Sequence, residues 1–251
     1  MAVTLLFASL AILLIFNVPV GISLGFSAMV AIAFGSSSLT LISLTQSLVT
    51  SCDSFPILAI PMFILAGDLM SAGGVSTRIL NVCNIFFGRI TGGLAIVTVL
   101  VCMFFAAVSG SGPATVAAVG TMVIPTMLRQ GYSKSFCLAL VATAGAIGVI
   151  IPPSIPMVIF GVATGSSVTD LFMAGFVPGI MIGVSLIIYC YCHCKKYKIG
   201  GNGVKPTKKE AIKAIYDAKW ALINPVIILG GIYAGIFTPT EAASVAAGSR
   251  A

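Results

Sequence analysis

The chain has 251 residues, of which 59% are hydrophobic and 8% charged, and its mean hydropathy is +1.15. That excludes a soluble globular domain, where about a quarter of residues are charged, and it turns the formal net charge of +7 into a question of where the basic groups sit rather than a sign of nucleic-acid binding. The apolar runs lack the period-two alternation of barrel strands and several approach the roughly 20 residues that cross hydrocarbon, so the fold class is an all-α polytopic membrane protein.

Arg250 aside, the lysines and arginines fall in three places: Arg78 with Arg89, Arg129 with Lys134, and residues 195–219. Cytoplasmic loops concentrate such residues, which predicts that these segments face the cytoplasm. The N-terminus then lies outside if the first two helices both cross. Residues 3–16 are apolar with no Lys or Arg ahead of them, unlike a signal peptide, and are read as structure. The seven cysteines lie mostly in apolar runs, where a thiol acts as a small hydrophobe, and no disulfide framework is expected.

In chain order, 3–16 and 20–34 read as two helices joined at Asn17-Val-Pro19, with Gly21 and Gly25 spaced for close helix contact or simply glycines of a membrane helix. Residues 36–51 read as an uncharged Ser/Thr-rich connection. A third helix covers 56–70, with Asp68 near its end and Arg78 soon after. An acid in an apolar run needs a partner or water, and a structural partner near the interface is expected. Residues 77–87 read as a helix along the membrane surface.

Next comes Ala107-Val-Ser-Gly-Ser-Gly-Pro-Ala-Thr115, a polar, glycine-rich stretch between apolar runs at 93–106 and 116–127. Two glycines and a proline together break a helical ladder, and broken backbone at membrane depth survives only inside protein or beside a wet cavity. Both arms are shorter than a full crossing, and Arg89 and Arg129 close the segment, as a re-entrant hairpin requires. A crossing from 136 is interrupted at Gly148-Val-Ile-Ile-Pro-Pro-Ser-Ile-Pro156, because proline removes a donor and pushes its predecessor out of helix. The helix resumes over 157–162, turns at 164–170 and returns over 172–191 to Lys195-Lys-Tyr-Lys198.

Residues 200–205 read as a linker. Thr207-Lys-Lys-Glu210 has the pattern of a capping box opening an amphipathic helix at the inner surface, with Trp220 as an interfacial anchor. Residues 221–236 cross outward, and Thr238-Pro-Thr-Glu241 opens one more helix. The expected divisions are 1–91, N-terminal transmembrane helices and a surface helix; 92–128, the hairpin; 135–194, the broken helix and its return; 195–219, the basic linker and amphipathic helix; and 220–251, a transmembrane helix and the start of the next.

The two breaks supply the chemistry. A helix ending at Ser109 presents orphan carbonyls, an unwound 148–152 frees more, and the Ser109 and Ser111 hydroxyls add hard oxygens. Neutral oxygens of this kind suit Na⁺, and the helix beginning at Pro113 points its positive end toward an anionic substrate. Proline kinks without a ligand, in a membrane scaffold, are the structural alternative. Enzyme chemistry is not expected. His193 is the single histidine and sits beside lysines at a helix end, away from any serine it could activate. No Walker-type motif handles ATP. Cys190-Tyr-Cys-His-Cys194 superficially suggests a metal cluster, but on a helix Cys192 points away from Cys190 and Cys194.

Ser109-Gly-Ser-Gly-Pro-Ala-Thr-Val-Ala-Ala-Val-Gly120, Ile124-Pro125, Gly131-Tyr132, Ala142-Thr-Ala-Gly145 and Ile151-Pro-Pro-Ser-Ile-Pro156 together resemble the large (DctM-like) membrane subunit of tripartite ATP-independent periplasmic (TRAP) transporters, as do Pro61-Met-Phe-Ile-Leu-Ala-Gly67 and Phe237-Thr-Pro-Thr-Glu-Ala242. The resemblance implies an elevator-type, sodium-driven importer of organic acids such as C4-dicarboxylates or sialic acid, in a bacterial inner membrane. It also implies a small membrane subunit and a periplasmic substrate-binding protein as partners. Carried over by position, the sodium site falls on Ser109, Ser111, Gly148, Ile151 and Pro152, with Gly112, Thr115 and Ser154 nearest the substrate. The family is built from two inverted repeats, and this sequence holds one copy of each break, so it reads as the amino-terminal half; Gly248-Ser-Arg-Ala251 matches nothing in the pattern. Another elevator-type, ion-coupled anion transporter is the alternative.

Overall fold

A computed structural model describes residues 2–35, 40–201 and 207–248. Parts of the expected 36–51 connection, the 200–205 linker and the C-terminal tail lie outside the described residues. The described backbone is helical, and it divides into two compact units, Met1–Ser54 and Phe55–Ala251.

The first unit holds α1 (Ala2–Ile15), α2 (Val20–Phe34) and α3 (Leu41–Cys52). Asn17, at φ +58, turns the chain between α1 and α2. Gly35 closes that pair: a Cβ there would stand 2.8 Å from the Ala2 Cα. Gly21 and Gly25, spaced for close contact, instead face open space, since a Cβ on either would meet nothing within 4 Å. The sequence reading of 36–51 as a connection is corrected by α3. Several of its hydroxyls are satisfied locally: Thr40 and Ser43 form a capping box, and Thr45 and Thr50 donate to the carbonyls of Leu41 and Gln46. A serine or threonine that bonds back one turn tolerates a helix.

The second unit is built round α6 (Gly93–Ser109). A 3₁₀ turn, Phe55–Leu58, leads into α4 (Ala59–Ala72), followed by α5 (Val75–Phe87), α6, α7 (Gly112–Arg129), α8 (Lys134–Ala146), α9 (Ile155–Thr164), α10 (Val168–Lys196), α11 (Lys208–Tyr233) and α12 (Pro239–Gly248). Only Leu100, Met103 and Phe104 of α6 escape full burial, because α4, α5, α7, α8, α10 and α11 all pack on it. A helix apolar all round belongs in such a place. α5 turns Val75, Ile79, Val82 and Cys83 inward, against α6 and α11. A second core joins α4, α9 and α12 through Ala59, Phe63, Val158, Ala242 and Ala246.

Among the described residues, Phe55–Ala72 and Val168–Lys196 are long and apolar enough to cross a membrane, and α11 adds a third span if its two parts, bent by 50° between Asp217 and Lys219, count as one. The amphipathic segment and the crossing segment that follows it are therefore one bent helix. The capping pattern holds at its start, where the Thr207 N–H donates to the Glu210 carboxylate at 2.8 Å.

Candidate functional site

α6 stops because Gly110 takes φ +62, a left-handed conformation open to glycine. Its N–H still donates to the Ala106 carbonyl at 3.0 Å. Ser111 is extended and caps α7, accepting the Ala114 N–H at 3.4 Å. Pro113 occupies the first turn, where its missing donor costs nothing. Two residues thus reverse the chain into a helical hairpin.

The second break begins where α8 tightens into a 3₁₀ turn, Ile147–Val149. The Ile147 carbonyl accepts from both Ile150 and Ile151 at 2.9 Å. Ser154 then caps α9, accepting from Met157 at 3.4 Å while its hydroxyl donates to the Val149 carbonyl at 2.6 Å.

The two breaks meet. The Ile155 N–H donates to the Gly110 carbonyl at 3.1 Å. A Cβ on Gly148 would lie 3.1 Å from Thr115 Oγ1 and 3.2 Å from both the Gly112 nitrogen and the Ser111 carbonyl carbon. One on Gly112 would lie 3.2 Å from the Gly145 carbonyl oxygen. Glycine is what lets hairpin tip and unwound segment touch backbone to backbone.

Ser109, Ser111, Gly112, Thr115 and Gly148 are therefore brought together. The Ser109 hydroxyl lies 3.2 Å from that of Thr115, which donates to the Ser111 carbonyl at 2.8 Å. Ile151 and Pro152 are buried in the break, and the Ile151 side chain fits against Gly179 of α10. Ser154 is fully buried, with its hydroxyl held by the Val149 carbonyl. Within this cluster the ligating atoms on offer are neutral hydroxyl and carbonyl oxygens. Of the basic stretch's cysteines, Cys190 and Cys194 are buried and Cys192 is exposed.

On its other side the tip borders a cavity of about 550 Å³. Ser109, Ser111 and Ala114 form one wall, and Gly67, Asp68 and Ser71 of α4 form the opposite one. Gly67 rests directly on the tip, since a Cβ there would lie 3.2 Å from the Ser109 Cα. The structural partner expected for Asp68 is absent: among the described residues it makes no hydrogen bond or ion pair, and Arg78 lines a different cavity with Lys213 and Asp217. The α4 wall escapes the sequence reading. Its signal is the Gly67-Asp68 pair inside an apolar run.

The sequence profile of the family described as "Tripartite ATP-independent periplasmic transporter, DctM component" matches residues 7–249. The chain belongs to this family. It is 50% identical over 242 residues to the isethionate TRAP transporter permease protein DctMQ of Oleidesulfovibrio alaskensis, covering 96% of this chain and 38% of the relative. It is 46% identical over 248 residues to the C4-dicarboxylate TRAP transporter large permease protein DctM of Vibrio cholerae, covering 98% and 54%. To the ectoine TRAP transporter large permease protein TeaC of Halomonas elongata it is 46% identical over 204 residues, covering 80% and 47%. This DctM-family chain thus spans about half the length of the curated relatives it matches, and it is a membrane protein.

Proposed function

We propose that the chain forms the hairpin-bearing half of the permease subunit of a sodium-coupled TRAP transporter. In this reading it imports organic acids, of C4-dicarboxylate or sialic-acid type, handed over by a periplasmic binding protein, and works with a small membrane subunit in a bacterial inner membrane. The observation that carries this is the contact of the two breaks, with Ser109, Ser111, Thr115 and Gly148 gathered at one point. Hydroxyls and freed carbonyls there offer a sodium ion several neutral oxygens without a buried carboxylate, the arrangement that interrupted helices give transporters. Ile151 and Pro152 extend the same set along the unwound segment. The N-terminus of α7, at Gly112, turns a positive dipole end toward the acid group of the substrate. The hairpin is re-entrant, and the tip travels with the substrate in an elevator movement.

Family relatives are named for isethionate, C4-dicarboxylates and ectoine, so the relatives' names span several small solutes. The test is sodium-dependent uptake by the complete transporter in proteoliposomes. Ser109→Ala and Ser111→Ala are expected each to raise the sodium concentration for half-maximal uptake about tenfold, as loss of a polar contact of about 1.4 kcal/mol does. Unchanged sodium dependence in both variants would remove the site.

A further inference from the structure

The cavity that takes up Arg78 lies between α5 and the first part of α11. It measures about 810 Å³, within the roughly 300–1,000 Å³ of ligand pockets. Arg78 and Asn81 line it from one face of α5, and Lys213 and Asp217 from one face of α11, since residues three or four apart on a helix are neighbours. Among the described residues, Arg78, Lys213 and Asp217 make no hydrogen bond or ion pair. Glu210 also lines the cavity, but its carboxylate is held by the Thr207 N–H at 2.8 Å. Three cations, Arg78, Lys213 and Lys219, therefore face one unengaged carboxylate. The same part of α11 leaves its apolar residues uncovered: Ile212 is 67% exposed and Tyr216 65%. Tyr216 and Trp220 belong both to the cavity and to this exposed face, and the Lys219 ammonium stands 4.0 Å over the Tyr216 ring. Just past Asp217 the helix bends by 50° into its apolar, spanning part, so the cavity opens at the level where a helix enters the bilayer. A cationic hollow beside an uncovered apolar face at that level matches a molecule with an anionic head and apolar tails.

We propose that this cavity holds the head group of an anionic glycerophospholipid of the phosphatidylglycerol kind, drawn from the leaflet beside α11. The phosphate lies between Arg78 and Lys213, whose guanidinium and ammonium groups suit it. The glycerol hydroxyls donate to Asp217, which only accepts, and the acyl chains leave past Tyr216 and Trp220. Basic hollows between helices on the cytoplasmic side take anionic head groups in this way, and the clustering of lysines and arginines assigns this end of the chain to that side. A zwitterionic lipid brings an ammonium group into a hollow that already holds three cations. A free phosphate ester has no tails for the apolar face. The lipid site is independent of which solute is carried.

The experiment titrates the complete, delipidated transporter with phosphatidylglycerol, phosphatidylethanolamine of the same chains, and glycerol phosphate, and reads the first bound molecule by native mass spectrometry. Wild type is expected to bind phosphatidylglycerol about tenfold more tightly than phosphatidylethanolamine, and glycerol phosphate far more weakly than either. Arg78→Gln and Lys213→Gln are each expected to lower the affinity for phosphatidylglycerol about tenfold, as loss of one charge-assisted contact does. Both side chains are exposed and make no hydrogen bond or ion pair among the described residues, so their replacement strips nothing from the fold. Lys209, exposed on the same helix but outside the cavity lining, is the control, and Lys209→Gln leaves the affinity unchanged. Equal effects of all three substitutions would reduce the site to diffuse surface charge and overturn the proposal. Equal affinity for the two lipids would overturn it as well. Glycerol phosphate bound as tightly as phosphatidylglycerol would give the cavity to a soluble phosphate ester and overturn the lipid assignment.

Discussion

A methyl group added at Gly148 would have to enter between Thr115, Gly112 and Ser111, and two of the three atoms in its way are backbone. Backbone held by a helix start cannot swing aside, so Gly148→Ala is expected to lower stability by about 1–3 kcal/mol, the usual range for overpacking, and to weaken sodium binding along with it. Gly131 is the control. It has φ +86 with nothing within 4 Å of the added carbon, so Gly131→Ala carries only the left-handed strain of about 1–2 kcal/mol and leaves sodium affinity alone. Thermal unfolding and sodium titration of the purified transporter read both quantities. Equal effects of the two substitutions on sodium affinity would mean that the contact of the two breaks has no part in ion binding.

The same residues show what a sequence can and cannot reveal. Ser109, Ser111 and Gly148 are legible because glycine and proline interrupt an apolar run in a way no lipid-facing helix tolerates. Asp68 is visible as a charge in the wrong place, yet its surroundings are not. Linear spacing offers Arg78 as its partner, whereas α4 ends at Ala72 and α5 starts at Val75, carrying Arg78 into a separate polar cavity with Lys213. Which face of α4 meets the tip is decided by Gly67 against Ser109, a contact across about forty residues that no local pattern encodes.

Among the elements, caps are legible and polar helices are not. The capping pattern at residue 207 and the helix start at residue 238 both stand, the latter with the Thr238 N–H on the Glu241 carboxylate at 2.8 Å. α3 escapes a polarity count because its hydroxyl-rich composition resembles a loop, while Thr45 and Thr50 return their hydroxyls to their own helix. The bend in α11 reads as a boundary since charge stops there, although the helical ladder continues. The start of α11 is also pH-sensitive. The Thr207 hydroxyl and its N–H hold the Glu210 carboxyl below its ordinary value. A depressed carboxyl stabilises the folded state above its unfolded pKa and loses that contribution as pH falls through the folded one. Protection of the Ala211 amide, whose N–H donates to the Thr207 carbonyl, measured as its exchange rate against that of an unstructured peptide at the same pH, is therefore expected to fall below about pH 4, where glutamates protonate. Glu210→Ala is expected to show the lower protection already at neutral pH, with no further loss on acidification. A Glu210→Ala protein with the wild-type acid response would assign the effect elsewhere.

At the scale of the whole molecule, α10 is the helix whose two ends test the direction in which the second unit threads the bilayer. Its 29 residues span about 43 Å at 1.5 Å per residue, more than the roughly 30 Å of hydrocarbon. Its two ends are therefore expected on opposite faces of the membrane. The end at His193, Lys195 and Lys196 carries the basic cluster that cytoplasmic loops collect, and the aromatic rings of Tyr191 and Tyr197 stand near those ammonium groups in the manner of an interfacial belt. The other end begins beside Ser166, exposed in the turn after α9. Lys196→Cys and Ser166→Cys, each made after Cys192→Ser removes the exposed thiol one turn away from Lys196, are expected to label from opposite sides with a membrane-impermeant maleimide: Ser166→Cys in intact cells and Lys196→Cys only in inverted vesicles. Labelling of both from the same side would end the reading of α10 as a crossing. Labelling of each from the side opposite to that expected would keep the crossing and reverse its orientation, placing the hairpin's Arg89 and Arg129 outside, where the positive-inside argument does not allow them.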